Sequence, residues 1–174
     1  MPDSTLSQAL KEAYAAAPSD VIVYHTIEIR HPAFDVPIRV VRDNVDLTAT
    51  LEPGAPIDGG AAVNFVAFRF DLTPPEVSDA GSPQCTVEID NVGGEVMRHI
   101  EAAQANPQIT TVTYRLFVSN DLSAPQNDPP LTLDVLAISA DPFKISMVCG
   151  FDNLANRRFP RETYNSERFP GLVS

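Results

Sequence analysis

The sequence predicts a mainly β fold of the α+β kind, an antiparallel β-barrel or sandwich with an N-terminal helix, one inserted helix and an extended C-terminal arm. Seven or eight short runs of alternating or β-branched residues come in groups at short spacing, which is typical of antiparallel pairing. The 16 prolines against 8 glycines suit stiff loops between short strands. Helical periodicity does not alternate with strands, which argues against a doubly wound parallel sheet.

Two segments have the period of an amphipathic helix. The first runs from Asp3 to Ala17, where Asp3 or Ser4 is suited to cap the N-terminus. The second runs from Glu95 to Asn106 and is closed by Pro107. The apolar stripes of the two helices consist of Leu6, Leu10, Ala13, Tyr14 and Ala17 in the first and Val96, Ile100 and Ala103 in the second.

The clearest predicted strand is Val21 to Arg30, which places His25 on an apolar face with Ile27 and Ile29. In that position we interpret His25 as a hydrogen-bonded core histidine. The other predicted strands are 38–42, 47–51, 63–70, 85–91, 109–118, 131–140 and 143–149. Strand 63–70 contains Phe65, Phe68 and Phe70 and is the predicted aromatic centre of the body. The last two strands form a predicted hairpin around Asp141 and Pro142.

The chain divides into a β-rich body with its N-terminal helix, 1–152, and an extended arm, 153–174. The arm repeats the tripeptide Arg-Phe-Pro, with Tyr164 midway between the two copies. From residue 157 onward four arginines and two glutamates give a charge of +2. The whole chain has a net charge of −11, so the first 156 residues carry −13. A basic, aromatic arm therefore follows an acidic body.

The two Phe-Pro pairs exclude the arm from a helix interior or a central strand, because proline lacks a backbone donor and restricts the preceding residue. Three interpretations remain open: the arm is a strap on its own subunit, it clasps a neighbouring subunit, or it is a disordered tail. Burial of one Phe contributes roughly 1.5–3 kcal/mol. The predicted subunit-interface residues are Arg158, Phe159, Pro160, Tyr164, Arg168, Phe169 and Pro170.

Charge and composition limit the partners. A net charge of −11 argues against nucleic acid and against an anionic membrane surface. No apolar stretch approaches the ~18 residues of a transmembrane helix, and the N-terminus lacks the pattern of a secretory signal. We therefore expect synthesis in a reducing cytoplasm. Cys85 and Cys149 lack zinc or iron–sulfur spacing and are predicted to be buried free thiols, with a disulfide left open.

No residue pattern singles out a catalytic centre. The three histidines, His25, His31 and His99, lack the spacing of a metal-binding pair. A Gly-x-Ser-x-Gly elbow and a glycine-rich phosphate loop are both missing from the sequence. Paired catalytic carboxylates stay open, since 23 acidic residues offer many pairs. The prediction is a protein that is not an enzyme and has no metal or cofactor.

Four segments together carry a family resemblance. They are SQALKEAYAAAPSDVIVYHTIEIRHPAF, PIRVVRDNVDLTATLE, DPPLTLDV and FDNLANRRFPRETYNSERFPGL. In them the chain resembles a family of small minor tail (tail-tip) proteins of tailed phages and prophages, catalogued as a domain of unknown function. The resemblance implies an adaptor between tail tube and baseplate hub, built on a small β-barrel hub domain that forms rings. Related tail-tip proteins hold an iron–sulfur cluster near the C-terminus; this chain has only Cys149 there, so no cluster is expected.

The resemblance implies a structural protein of the virion tail, present in the host cytoplasm during assembly. Its implied partners are other copies of itself and the tube, hub and tail-tip neighbours. A tail assembly factor absent from the mature virion is the alternative. A cell-wall hydrolase is implied only by the gene neighbourhood of the family. A carbohydrate-binding module is disfavoured because the chain has no Trp and only 4 Tyr to stack on sugar rings.

Overall fold

The computed structural model describes residues 6–16, 21–73, 84–90, 108–141 and 143–150. These residues form one helix and nine strands, and the predicted mainly β fold is confirmed. The elements are α1 Gln8–Ala16, β1 Val23–Arg30, β2 Ile38–Val41, β3 Leu47–Thr50, β4 Ala62–Ala67, β5 Phe70–Thr73, β6 Gln84–Asp90, β7 Thr111–Val118, β8 Leu131–Ala140 and β9 Lys144–Gly150. The predicted second helix and the C-terminal arm lie outside the described residues.

Helix α1 begins later than the sequence predicts. Its N-cap is Ser7, whose hydroxyl accepts a 3.2 Å hydrogen bond from the backbone N–H of Leu10. The prediction of Asp3 or Ser4 as the cap is therefore wrong. The reason is tertiary, because Leu6 forms a β-bridge with Asn127 and the helix begins only after it. Leu10 is fully buried and fixes the helix to the body.

The strands form one sheet in the order β3-β4-β2-β1-β7-β8-β9-β6-β5. Among the described strands, every pair is antiparallel except β2–β4, which is parallel at Val40–Val66 and Val41–Ala67. The sequence predicted antiparallel pairing throughout, because its strands are closely spaced. The parallel pair arises because β3 lies between β2 and β4 in the chain and pairs with β4 at the edge of the sheet.

The predicted single strand 63–70 is two strands, β4 and β5. Residues Phe68 and Arg69 connect them, and at this point the chain changes its pairing partner from β2 to β6. The Phe68 N–H donates to the carbonyl of Val41, the last residue of β2, at 2.9 Å, and the Arg69 carbonyl accepts from the Asp90 N–H of β6 at 3.1 Å. The two halves therefore pair with strands that are far apart in the sheet order. An alternating pattern does not reveal such a change of partner, because both halves alternate.

Two apolar cores stabilise the sheet. The first core contains Ile27, Ile29, Val40, Phe70, Cys85, Val87, Ile89, Val112, Leu133, Ile145, Met147 and Cys149, which come from every strand except β3 and β4. The second core contains Val41, Leu47, Ala49, Leu51, Val63, Phe65 and Phe117. Because β2 and β5, which are far apart in the strand order, both contribute to the first core, the sheet curves around it. The predicted aromatic centre is thus divided, with Phe65 in the second core and Phe70 in the first.

Candidate functional site

The face of the sheet opposite the first core carries a buried group of charged side chains. Successive side chains of a strand alternate between faces, so Glu28 lies on the opposite face from Ile27 and Ile29. Its cross-strand partner on β2 is Arg39, and Arg115 of β7 pairs with Thr26 on the same face. Glu28 is 1% exposed and Arg115 is fully buried. Buried charges at the centre of a sheet must be paired to be tolerated.

These charges form a continuous chain of ion pairs. Arg39 Nε lies 2.8 Å from Glu28 Oε2, and Arg39 Nη2 lies 2.8 Å from Asp58 Oδ2. Burial opposes the charged form of Arg39, but the hydrogen bonds that it donates to Glu28 and Asp58 outweigh this effect and raise the pKa of the guanidinium. Arg115 binds Glu52 with both Nε and Nη2 at 2.8 Å, the planar fork that arginine makes with a carboxylate.

The two halves of this chain meet at a looser contact. Arg115 Nη1 lies 3.6 Å from Glu28 Oε1. Both atoms are buried and make no hydrogen bond to a described residue. The contact is therefore an ion pair without hydrogen-bond geometry. We refer to the five residues Glu28, Arg39, Glu52, Asp58 and Arg115 as the ion network.

A pocket of about 490 Å³ opens beside the ion network. Thr113, Arg115 and Asn127 are buried and form its floor, whereas the other lining residues are partly or fully exposed. The mouth lies between two loops, 52–56 and 124–130. Prolines dominate its walls, namely Pro53, Pro56, Pro125, Pro129 and Pro130. A polar floor with a few convergent groups and apolar walls is the usual composition of a binding pocket.

Asn127 fastens the second loop to the sheet. Its Oδ1 accepts from the Leu116 N–H at 3.0 Å, and its Nδ2 donates to the Tyr114 carbonyl at 3.0 Å. The side chain thereby replaces a neighbouring strand along this part of β7. The peptide bond between Asp128 and Pro129 is cis. The loop wall of the pocket is thus held by hydrogen bonds to the sheet that also carries the floor.

Arg30 lines the same pocket from the end of β1. Its Nη1 is buried and has no hydrogen-bond partner among the described residues, and no described acid forms an ion pair with it. Thr111, its cross-strand partner on β7, also has a buried hydroxyl without a partner. Arg30 therefore differs from Arg39 and Arg115, each of which binds carboxylates.

The residues that the sequence singled out as a subunit interface all lie outside the described residues. These are Arg158, Phe159, Pro160, Tyr164, Arg168, Phe169 and Pro170. His99 is outside them as well. The structure consequently neither supports nor contradicts the interface prediction.

The two described histidines are held by hydrogen bonds. His25 is half-buried, and its Nδ1 is hydrogen-bonded to the Tyr114 hydroxyl. Burial, with a smaller contribution from Arg42, lowers the pKa of His25. His31 is buried; its Nδ1 accepts from the Ala33 N–H at 3.0 Å, and its Nε2 lies 3.2 Å from the Gln108 carbonyl. Both rings therefore stabilise the fold.

The cysteines are buried free thiols, as predicted. They lie directly opposite each other, Cys85 on β6 and Cys149 on β9, in the first core. Burial raises the pKa of Cys85, and burial together with Cys85 raises that of Cys149 to about 12. Thiols with so little thiolate are poor nucleophiles and poor metal ligands. Within the described parts of the chain, no three His, Cys, Asp or Glu residues group as a metal site.

The comparison with protein families decides the family of the chain. Residues 9–164 match DUF1833, a domain of unknown function. The protein belongs to the DUF1833 family. The match spans the whole described sheet and all of α1 except its first residue, Gln8. A comparison with curated proteins gives no match. In the described residues, no helix of this DUF1833 protein is long and apolar enough to cross a membrane.

Sequence reasoning missed the ion network and the pocket. The alternation of the first predicted strand puts Glu28 and Arg30 on the face opposite Ile27 and Ile29, which is correct, but it did not indicate that this face is buried. The signal that could have found the site is the charge of Glu28, Arg39 and Arg115, each in the middle of a strand pattern. Charged residues of both signs in the middle of three strands indicate that these strands are covered on the polar face as well as on the apolar face.

Proposed function

We propose that this protein is a structural subunit of a bacteriophage tail tip, an adaptor between the tail tube and the baseplate hub that assembles into a ring. Its partners are other copies of the chain and the neighbouring tail proteins, and its place is the virion tail after assembly in the host cytoplasm. The observation that carries the proposal is the pairing of the curved sheet. It agrees with the small barrel that the sequence resemblance implies.

The pairings support a barrel as follows. The segment from β4 to β5 bonds to β2 at its first half and to β6 at its second half. Going around, β2 pairs with β1, β1 with β7, β7 with β8, β8 with β9 and β9 with β6. These neighbours make a closed circuit around the first core. A closed circuit leaves few free strand edges, so ring contacts are expected to come from side chains and from the arm.

The arm supplies the contact between subunits in this proposal. Its charge of +2 is opposite to the −13 of the preceding residues, so attraction between neighbouring copies is favoured. Phe159 and Phe169 anchor in the neighbour, and Arg158 and Arg168 bind its carboxylates. Each contact joins two different surfaces, which closes into a ring at a fixed rotation.

Native mass spectrometry tests the proposal. The full-length protein is expected to be a ring-sized oligomer, and the variant Phe159→Ala/Phe169→Ala a folded monomer. A chain truncated after Asn156 should behave as the double variant does. If circular dichroism shows the double variant unfolded, the arm is a strap on its own subunit. If the full-length protein is a monomer at all concentrations, self-assembly into a ring is refuted.

The alternative, an assembly factor, keeps the same oligomer but is missing from the finished particle. Mass spectrometry of purified virions separates the two. A stoichiometric signal from this chain in tail-containing particles supports the structural subunit, and its loss on purification supports the assembly factor.

A further inference from the structure

Of the described charged residues that line the pocket, Arg115 and Glu52 form an ion pair with each other, whereas Arg30 and Asp128 form none. Glu28 and Asp58 bind Arg39, and Glu52 binds Arg115 in a two-point contact. Arg30, which faces the same pocket, binds no described acid and has a buried N–H donor without an acceptor. A buried donor without a partner is costly, so it favours any ligand that supplies an acceptor.

We propose that this pocket binds the carboxylate of an aspartate or glutamate side chain presented by another protein chain. Arg30 is the cation that receives it. A planar guanidinium matches a carboxylate with two parallel hydrogen bonds. Thr113 lies on the same sheet face and lines the pocket, where its hydroxyl, 3.2 Å from the Thr132 hydroxyl, is a further polar group.

The surroundings favour a single negative charge. Glu52 and Asp128 also line the pocket, so a doubly charged phosphate meets more repulsion there than a carboxylate does. The one buried N–H donor of Arg30 without an acceptor needs no more than one carboxylate. The chemistry of the pocket thus favours a carboxylate over a phosphate.

The walls favour a side chain on a polypeptide over a small free acid. A volume of about 490 Å³ is far larger than a carboxylate needs. The five wall prolines are stiff apolar surfaces, and they offer contact to the aliphatic part of a glutamate and to the extended backbone on either side of it. A free acetate ion gains nothing from these walls.

This inference goes beyond the proposed function, which concerns the C-terminal arm. Ring formation through the arm and carboxylate binding at Arg30 use different residues. Either can therefore fail without the other.

Peptide binding tests the proposal on the full-length protein. The probes are a capped Ala-Glu-Ala tripeptide, its Ala-Gln-Ala counterpart and acetate, each titrated at constant ionic strength. Saturation-transfer NMR observed on the probe gives the affinity whatever the oligomeric state. The Glu peptide is expected to bind at least about tenfold more tightly than the Gln peptide and than acetate.

The variant Arg30→Gln should reduce the affinity for the Glu peptide to that for the Gln peptide. Its matched control is Arg69→Gln, which removes the same charge from an exposed arginine and should leave the affinity unchanged. Arg30→Lys keeps the charge but loses the planar fork, and it should bind the Glu peptide less tightly than wild type. If Arg30→Gln does not fold, the affinity of Arg30→Lys for the Glu peptide serves as the test.

Three results overturn the proposal. The first is equal affinity of the wild type for the Glu and Gln peptides. The second is equal loss of binding in the Arg30 and Arg69 variants, which indicates a non-specific charge effect. The third is acetate binding as tightly as the Glu peptide, which assigns the pocket to a small free acid and not to a protein side chain.

Discussion

Replacement of Arg115 by methionine is expected to be among the most damaging single changes in this fold. Methionine matches the length of the arginine stem but removes the charge from a side chain that is 1% exposed. Glu52 then loses both of its hydrogen bonds from Arg115, and Glu28 loses its contact at 3.6 Å. The negative charges of Glu52 and Glu28 then have fewer positively charged partners.

The magnitude follows from the exposure of the partners. Removing one member of a buried ion pair costs about 3–5 kcal/mol. The Glu52 side chain is 20% exposed and can recover part of its hydration, and Glu28 keeps its 2.8 Å contact with Arg39. We therefore expect the lower end, about 3 kcal/mol, for Arg115→Met. At about 2–4 °C per kcal/mol for a chain of this size, the melting temperature falls by roughly 6–12 °C.

The free energy of unfolding is measured by urea denaturation at pH 7. Urea is uncharged, so it does not screen the ion pairs. Arg42→Gln is the control, because the Arg42–Asp71 pair joins side chains that are 53% and 64% exposed. An exposed pair contributes at most about 1 kcal/mol. A second variant, Arg115→Met/Glu52→Met, removes both partners, and most of the lost stability should return.

Equal destabilisation by Arg115→Met and Arg42→Gln refutes this reasoning, since it shows that the buried network contributes no more than a surface pair. A double variant that is less stable than Arg115→Met also contradicts it. That result assigns the loss to altered packing and not to the carboxylates left without a partner.

Three further predictions concern single groups. Because burial raises the pKa of both thiols, Cys85 and Cys149 should react with a disulfide reagent at pH 8 only when urea unfolds the protein; rapid labelling of the native state contradicts this. Ser7→Ala removes the N-cap and a 2.6 Å hydrogen bond to Gln126, so it should cost about 1 kcal/mol in thermal unfolding, whereas no change contradicts the capping role. The pKa of His25 is lowered from 6.5, so the folded state favours neutral imidazole. Its stabilising contribution is present above pH 6.5 and lost as the pH falls below it, and NMR titration should give a pKa below 6.5 that rises in Arg42→Gln.

Strands were predictable from the sequence because alternation reports which side of a strand is buried. The residues Ile27 and Ile29 on one side of β1, and the β-branched run of β7, are local signals that need no knowledge of the partner strand. The boundaries of β2 and β8 agree with the prediction to within one residue. The division of 63–70 into β4 and β5 was not predictable, because it depends on which strands pair with each half.

The site was not predictable for the same reason. Glu28 and Arg39 are 11 residues apart, but Arg115 and Glu52 are 63 apart, and only the strand order brings all four together. A sequence shows that these residues are charged and that they lie in or near strands. It does not show that the loop containing Glu52 and Asp58 lies next to them.

The position of β1 in the sheet explains why a charged network lies there. This strand is central in the order, and its residues Thr26 to Ile29 are buried on both faces. Glu28 therefore has no access to solvent, and its charge must be matched by neighbouring strands. Arg39 and Arg115 supply that match from β2 and β7, one on each side.

The network also helps to fix the register of β2. This strand pairs with β1 over four residues, and a slip by two residues leaves its apolar side chains on the same face, so alternation alone does not exclude it. Such a slip places Val41 opposite Glu28 in place of Arg39. The buried carboxylate then loses its partner at 2.8 Å, at a cost of about 3–5 kcal/mol. That penalty exceeds the roughly 0.2–1 kcal/mol of a single cross-strand pair, so the Glu28–Arg39 pair favours the observed register.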